Sequence, residues 1–206
     1  MAYIKLSDFK FDCARCHTPC DGVSKGTYIF KNDVSVSESF EEMLIKRINT
    51  AGKYSAEKTQ KEGYPDVEIR NLDGSIYSYL EVKVQQRTFM QVKKYLPYSN
   101  LEPSETIALN LSDLLRYFTI QKTTGTSTVI VWFLLNRLCI VDKASFKVYF
   151  QSCEELERIY HLEKYKRTFR RRSGEGDVVD GIHKGVTVNF HYSLTELKEW
   201  KWKLFS

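Results

Sequence analysis

Three charged residues, Asp66, Glu81 and Lys83, fall within a stretch from Tyr64 to Gln85 that otherwise reads as a pair of strands. β-Branched and aromatic residues flank Asp73-Gly74, a dipeptide that favours a two-residue hairpin turn. With Leu72 facing Ser75, counting outward in equal steps sets Asp66 directly opposite Glu81. Cβ atoms paired in that way stand about 4.5 to 5.5 Å apart on one face of the sheet. Two carboxylates so close repel unless a cation lies between them. Period two adds Lys83 and Gln85 to the same face and turns Leu80, Val82 and Val84 to the other. Hard carboxylate oxygens with room for water suit Mg2+ or Mn2+. A lysine beside such an ion can orient or deprotonate a water, or hold a phosphate. These are the parts that hydrolysis of a phosphodiester requires. Glu68 alternates onto the face of Asp66, but in the same register it faces Tyr79 and ranks below Glu81 as a ligand.

Two other groups of residues carry chemistry. The segment "CARCHTPC" supplies Cys13, Cys16, His17 and Cys20, which read as half of a zinc site or as plain thiols. A complete tetrahedral site would draw its fourth ligand from Cys153, His161 or His183, or from His17 itself. An iron–sulfur cluster and a c-type haem attachment are lesser readings of the same string. The segment from Arg158 to Arg172 carries seven lysines and arginines against one glutamate. Within it Lys166, Arg167, Arg170, Arg171 and Arg172 are candidates for phosphate contacts, which would make nucleic-acid affinity depend on salt. Its aromatic residues, Tyr160, Tyr165 and Phe169, read as core, as do Trp200 and Trp202.

These groups need elements to position them. Residues 1–30 read as a small cysteine-bearing appendage, and residues 31–206 as the main domain, with its centre at about 38–150. In "SVSESFEEMLIKRINTAG" the spacing predicts a helix capped by Ser39 with Glu42 three positions on; Phe40, Leu44 and Ile48 form its apolar stripe and Gly52 lies past its end. A polar connection leads to the hairpin. After it come a loop, a helix from near Ser112 to just before Gly125, a buried strand from Thr128, a second strand at Leu138 to Val141 and a third at "SFKVYF". A helix capped by Ser152 follows. Beyond the Gly- and Asp-rich loop "RSGEGDVVDG", "GVTVNFHY" reads as a strand and "SLTELKEWKWKL" as a terminal helix capped by Ser193 with Glu196.

Pro65-Asp66 followed by Glu81-Val82-Lys83 resembles the signature of the PD-(D/E)xK nuclease superfamily, which includes restriction endonucleases and Holliday junction resolvases. The resemblance spans about Glu38 to Gln85. It implies that Asp66 and Glu81 bind the metal and that Lys83 positions or activates the attacking water. Members often add a glutamate from the preceding helix. Here that would be Glu41, at the packed edge set by Leu44 and Ile48, because Glu42 is taken by the cap. Gln85 looks like the polar residue that some members carry after the lysine. The implied fold is α/β and restriction-endonuclease-like, a central mixed β-sheet flanked by helices.

At 206 residues the chain suits one well-packed domain. Its 42% hydrophobic and 28% charged residues set it apart from disordered tails and membrane proteins. No apolar run reaches the roughly 18 residues that span a bilayer. The amino terminus lacks the apolar core of a secretory signal, and an odd number of cysteines makes a poor disulfide framework, so a reducing cytoplasm is expected. The net charge of +5 permits a polyanionic partner. With about 120 residues beyond the motif to contact double-stranded DNA, a type II restriction endonuclease acting as a homodimer is the leading expectation. The alternatives are a structure-specific nuclease, such as a junction resolvase or a phage recombination nuclease, and a non-catalytic DNA-binding or zinc-knuckle module.

Overall fold

The computed structural model describes residues 30–200 apart from 87, 136, 138, 142–144, 171–177, 180–181 and 184–187. The expected appendage, with Cys13, Cys16, His17 and Cys20, lies outside the described residues, as do Arg171 and Arg172. The architecture is the expected one, a central mixed sheet with helices on both faces, and a second, smaller sheet stands beside it.

Helix α1 (Phe30–Ala51) begins nine residues before Ser39. Ser39 therefore lies inside it, because a capping box needs a non-helical residue at the cap and here the preceding turns are already helical. The stripe is as expected: Leu44 and Ile48 are fully buried against the sheet, and Gly52 leaves the helix in the left-handed conformation at φ +71°. The polar connection that follows contains an edge strand, β1 (Ser55–Lys58), in which only Ala56 is buried. Asn49 holds it to the helix by bonding both polar groups of the Ala56 backbone, at 2.7 and 3.0 Å.

The hairpin of β2 (Val67–Arg70) and β3 (Ile76–Gln85) reaches the expected register by an unexpected route. Its turn is one residue longer than two. Asn71 bonds Ser75 across the ends (Asn71 N–H to Ser75 O, 2.9 Å), Gly74 N–H donates to Asn71 O, and Gly74 takes φ +85°. The Asp73 carboxylate accepts from Ser75 N–H and Oγ–H, at 2.9 and 2.6 Å. Left alone, that turn would shift every pair by one residue and invert the faces. A β-bulge then intervenes: Arg70 pairs with Ile76 while Ile69 pairs with Ser78, so Tyr77 is the extra residue. Beyond the bulge Val67 pairs with Leu80 and Glu68 with Tyr79, as the count from a two-residue turn had them. A Cβ at Gly74 meets nothing within 4 Å, so Gly74→Ala pays only for its left-handed backbone, about 1 kcal/mol. A thermal melt of that variant should fall by about 2 to 4 °C.

After α2 (Val92–Tyr95) the chain forms β4 (Thr106–Asn110), a strand that sequence reading took for loop, then α3 (Leu111–Thr124), capped by Asn110 and ended by Gly125 at φ +67°. Next come β5 (Ser127–Leu135), β6 (Phe146–Ser152) and α4 (Cys153–Glu163), the last capped by Ser152 as expected. The strand expected at Leu138 to Val141 is instead a turn at its described positions, where Ile140 and Val141 N–H both bond Arg137 O. A single 3-10 turn (Lys164–Arg167) leads to β7 (Thr168–Arg170). The short strands β8 (Val178–Val179) and β9 (Ile182–His183) pair with each other, and β10 (Val188–Ser193) follows.

The expected terminal helix is absent from the described residues. Ser193 and Glu196 do form their capping box, but the helix is one 3-10 turn (Leu194–Glu196) followed by β11 (Lys198–Glu199). Leu194 and Leu197 pack into one core and Trp200 into another, on opposite sides of the main sheet. No single helical face could serve both.

The main sheet runs β1-β2-β3-β5-β6-β11, antiparallel throughout except for the parallel β3–β5 pair, and the second runs β4-β10-β7. Leu80, Val82 and Val131 face α1. Tyr79, Ile130 and Trp132 face α3, α4 and the second sheet. No described helix is long and apolar enough to cross a membrane.

Candidate active site

The face of β3 that carries Tyr79 continues to Glu81 and Lys83, which lie beside Ile130 and Trp132 of β5 in the parallel register. Glu81 is 1% exposed. One of its oxygens is ion-paired with Lys83, and the other, Oε2, is buried with no hydrogen-bond partner. Asp66 immediately precedes β2, and its Oδ2 accepts a bond of 2.8 Å from Val82 N–H, which ties it to the backbone between Glu81 and Lys83. So the two carboxylates and the lysine meet at one place.

The electrostatics follow from that meeting. Burial pushes the Glu81 carboxyl up to about 7; Lys83 opposes the rise and the Asp66 charge adds to it. Burial works against the charge of Lys83, but Glu81, and beyond it Asp66 and Asp113, outweigh burial and hold its pKa above the ordinary value. Glu41 is half-buried on α1 and 3.4 Å from Lys58. Its carboxyl is raised by burial and then by the charge of Asp66, against the pull of Lys58. Glu41 is thus in electrostatic reach of Asp66, and Lys58 is its direct partner. Gln85 Oε1 accepts from Ala108 N–H at 3.3 Å, which joins β3 to β4. Glu68 is ion-paired with Arg70.

One expected result follows for the metal-free protein. A carboxyl raised in the folded state favours folding while protonated, below its ordinary value of 4.5, and that contribution is lost as the pH rises through about 7. The wild-type melting temperature should therefore decline between about pH 5 and pH 8 more steeply than that of Glu81→Gln. Equal slopes in paired melts would show that Glu81 does not titrate in that window.

Do these residues fit a divalent metal? Among the described residues no three His, Cys, Asp or Glu side chains converge as a ready cage, so Glu41 does not complete one with Asp66 and Glu81. What is present is a buried carboxylate oxygen without a partner beside a second carboxylate. That donor set fits Mg2+ or Mn2+, which take one or two carboxylates and fill the remaining positions with water and phosphate. Of the residues expected to supply a fourth zinc ligand, Cys153 and His161 have described side chains. Cys153 is a buried thiol with its pKa pushed up to about 12 by burial, and His161 lies on the surface 3.5 Å from Glu157.

Sequence reading missed one wall of the site, on α3. Asp113, Arg116 and Tyr117 share a helical face at i, i+3 and i+4. Tyr117 is buried beside Glu81, and its hydroxyl is held protonated by burial and then by the Glu81 charge. Asp113 acts on Lys83 and pairs with Arg116 at 2.8 Å. The polar 113/116/117 spacing was the available signal, masked by the apolar stripe of the same helix.

The basic stretch divides. Arg167, expected to contact phosphate, is buried, and its Nη1 donates to both oxygens of Glu196, at 2.8 and 2.7 Å, so its cation is already engaged by a carboxylate. Lys166 is half-exposed, 3.9 Å from Glu163, and Arg170 is exposed at the end of β7. Tyr165, expected in the core, is 80% exposed.

No protein-family profile matches the chain, and no curated protein matches it. Among solved structures it is similar to Hjc, a Holliday junction resolvase from the archaeal hyperthermophile Archaeoglobus fulgidus, at 12% identity and a TM-score of 0.41, over 78% of this chain and 86% of that one.

Proposed function

We propose that the chain is a divalent-metal-dependent nuclease that hydrolyses phosphodiester bonds in DNA. The observation that supports this most is the buried Glu81 carboxylate, one oxygen on Lys83 and the other without a hydrogen bond, within electrostatic reach of Asp66. In this reading Asp66 and Glu81 hold the ion, with Glu41 acting on them from α1 through water. When bound, the metal would lower the pKa of a water and stabilise charge on the phosphate. Lys83 passes from Glu81 to the attacking water or to a phosphate oxygen. The buried Tyr117 restrains Glu81, and Ile130 and Trp132 pack the floor of the site.

As substrate we favour branched DNA, cut by a homodimer, over the short palindromes of a type II restriction endonuclease. The restriction reading counted the residues beyond the motif as free to read bases. Those residues form α3, α4, β5, β6 and β10, whose apolar side chains build the larger core, so little of that length is left for a separate base-reading part. Lys166 and Arg170 remain as candidate backbone contacts.

The test is cleavage of a four-way junction and of unmethylated plasmid or phage DNA, each in Mg2+, Mn2+ and EDTA, with Lys83→Ala as control. Junction cutting that vanishes in EDTA and in the variant supports the proposal. Discrete plasmid bands would restore the restriction reading. Salt-dependent binding with no cutting in either metal would overturn nuclease function in favour of a non-catalytic module.

A further inference from the structure

Arg116 stands where the α3 wall meets the loop that delivers Asp66. Its stem lies against Gly63: a Cβ built there would be 3.7 Å from Arg116 Cδ and 3.9 Å from Nε. Gly63 has φ +77°, a conformation that suits glycine, and Pro65-Asp66 follows within three residues. On the other side Arg116 Nη2 bonds Asp113 at 2.8 Å, and its guanidinium carbon is 5.3 Å from the centre of the Tyr117 ring. Tyr117 is buried beside Glu81, whereas the Arg116 side chain is 43% exposed. A guanidinium is thus braced by a carboxylate, an aromatic ring and a glycine at the rim of the catalytic face. Its planar fork carries five N–H donors, more than Asp113 can take, and matches the geometry of phosphate oxygens.

We propose that Arg116 is a phosphate-binding residue of this site, taking a backbone phosphate of the DNA strand that lies across Asp66, Glu81 and Lys83. Asp113 holds the guanidinium at the rim before DNA arrives. The inference rests on the proposed nuclease function and adds a contact to it.

The test is binding of a fluorescently labelled four-way junction in EDTA, followed by anisotropy across a salt series, for the wild type, Arg116→Ala, Arg116→Lys and Asp113→Asn. Loss of one phosphate contact lowers the slope of log K against log salt by roughly 0.9. Arg116→Ala should show that drop, with affinity about ten-fold weaker at moderate salt, and Arg116→Lys should recover most of both. Asp113→Asn frees the guanidinium and should bind as tightly as the wild type or tighter. A purely structural link between α3 and the loop predicts otherwise: Arg116→Ala and Asp113→Asn would weaken binding alike, with lower melting temperatures and an unchanged slope, and that result overturns the proposal. So would wild-type binding by Arg116→Ala. Failure of the wild type itself to bind or cut DNA would count against the nuclease reading, which separates the two.

Discussion

Asp66→Ala should lose cleavage of DNA in Mg2+ by at least about a thousand-fold, because in the proposed nuclease it lacks one of the two carboxylates that would hold the metal, and it should remain folded. Asp66 precedes β2 and takes no part in either large core. The backbone bond from Thr59 N–H to Asp66 O is untouched by the substitution. The Asp66 carboxylate accepts from Val82 N–H, and leaving that donor unpaired costs about 1 kcal/mol or somewhat more. Against this, the substitution removes a negative charge that raises both Glu81 and Glu41, which relieves the metal-free protein. The two effects oppose, so the melting temperature should move little. Asp66→Asn keeps an acceptor for Val82 and drops the charge. It should be equally inactive and at least as stable as the wild type in EDTA. Circular dichroism melts and a cleavage gel on the same preparations check both halves. Normal cleavage by Asp66→Ala in Mg2+ would remove the assignment of the site.

The second large effect is on stability. Arg167→Ala should destabilise the protein by about 3 kcal/mol, at the lower end of the cost of breaking a buried ion pair, and lower the melting temperature by roughly 10 °C. Arg167 has 9% of its side chain exposed and Glu196 22%. The carboxylate of Glu196 also accepts from Ser193 N–H at 2.9 Å, so the lost partner loosens the capping box that turns the chain from β10 towards β11. Arg167→Lys should recover little, because an ammonium cannot reproduce the reach and fork of a guanidinium. The salt slope of DNA binding should match that of the wild type, unlike that of Arg116→Ala. Denaturant unfolding together with anisotropy measures both. A variant as stable as the wild type but with a reduced slope would return Arg167 to the DNA-contacting residues.

The contrast between these two arginines shows what could be read from the sequence. A run of cations looks alike whether its members meet solvent or a distant carboxylate. Glu196 lies 29 residues from Arg167, and nothing local pairs them. The central strands were legible because each carries its own evidence: β5 is a continuous apolar run, and β3 alternates a chemically active face with an apolar one. Ser152, Ser193 and Gly125 act locally and were read correctly. β1 and β4 were not, since β1 buries one residue and β4 acquires its identity from β10, about 80 residues further along. Leu194, Leu197 and Trp200 have helical spacing, but they divide between two cores that exist only once the sheet has formed. In the site, Asp66, Glu81 and Lys83 could be placed by counting along one hairpin, whereas Asp113, Arg116 and Tyr117 come to it through the crossover from β3 to β5.

The hairpin count itself succeeded through compensation. The extra turn residue and the bulge at Tyr77 each displace the pairing by one, in opposite senses, and the carboxylates feel neither. Tyr77 is half-exposed and its ring stacks on Tyr54 at 4.5 Å, which anchors the bulge from outside the hairpin. The tip and the end that carries Asp66 and Glu81 are therefore separately indexed. The bulge works like a slip joint, absorbing a change of length at the tip before it can rotate Glu81 and Lys83 off their face. Asn71 to Ser75 thus becomes a stretch open to insertion, deletion or an appended tag, though it lies only a few residue pairs from Glu81 and Lys83.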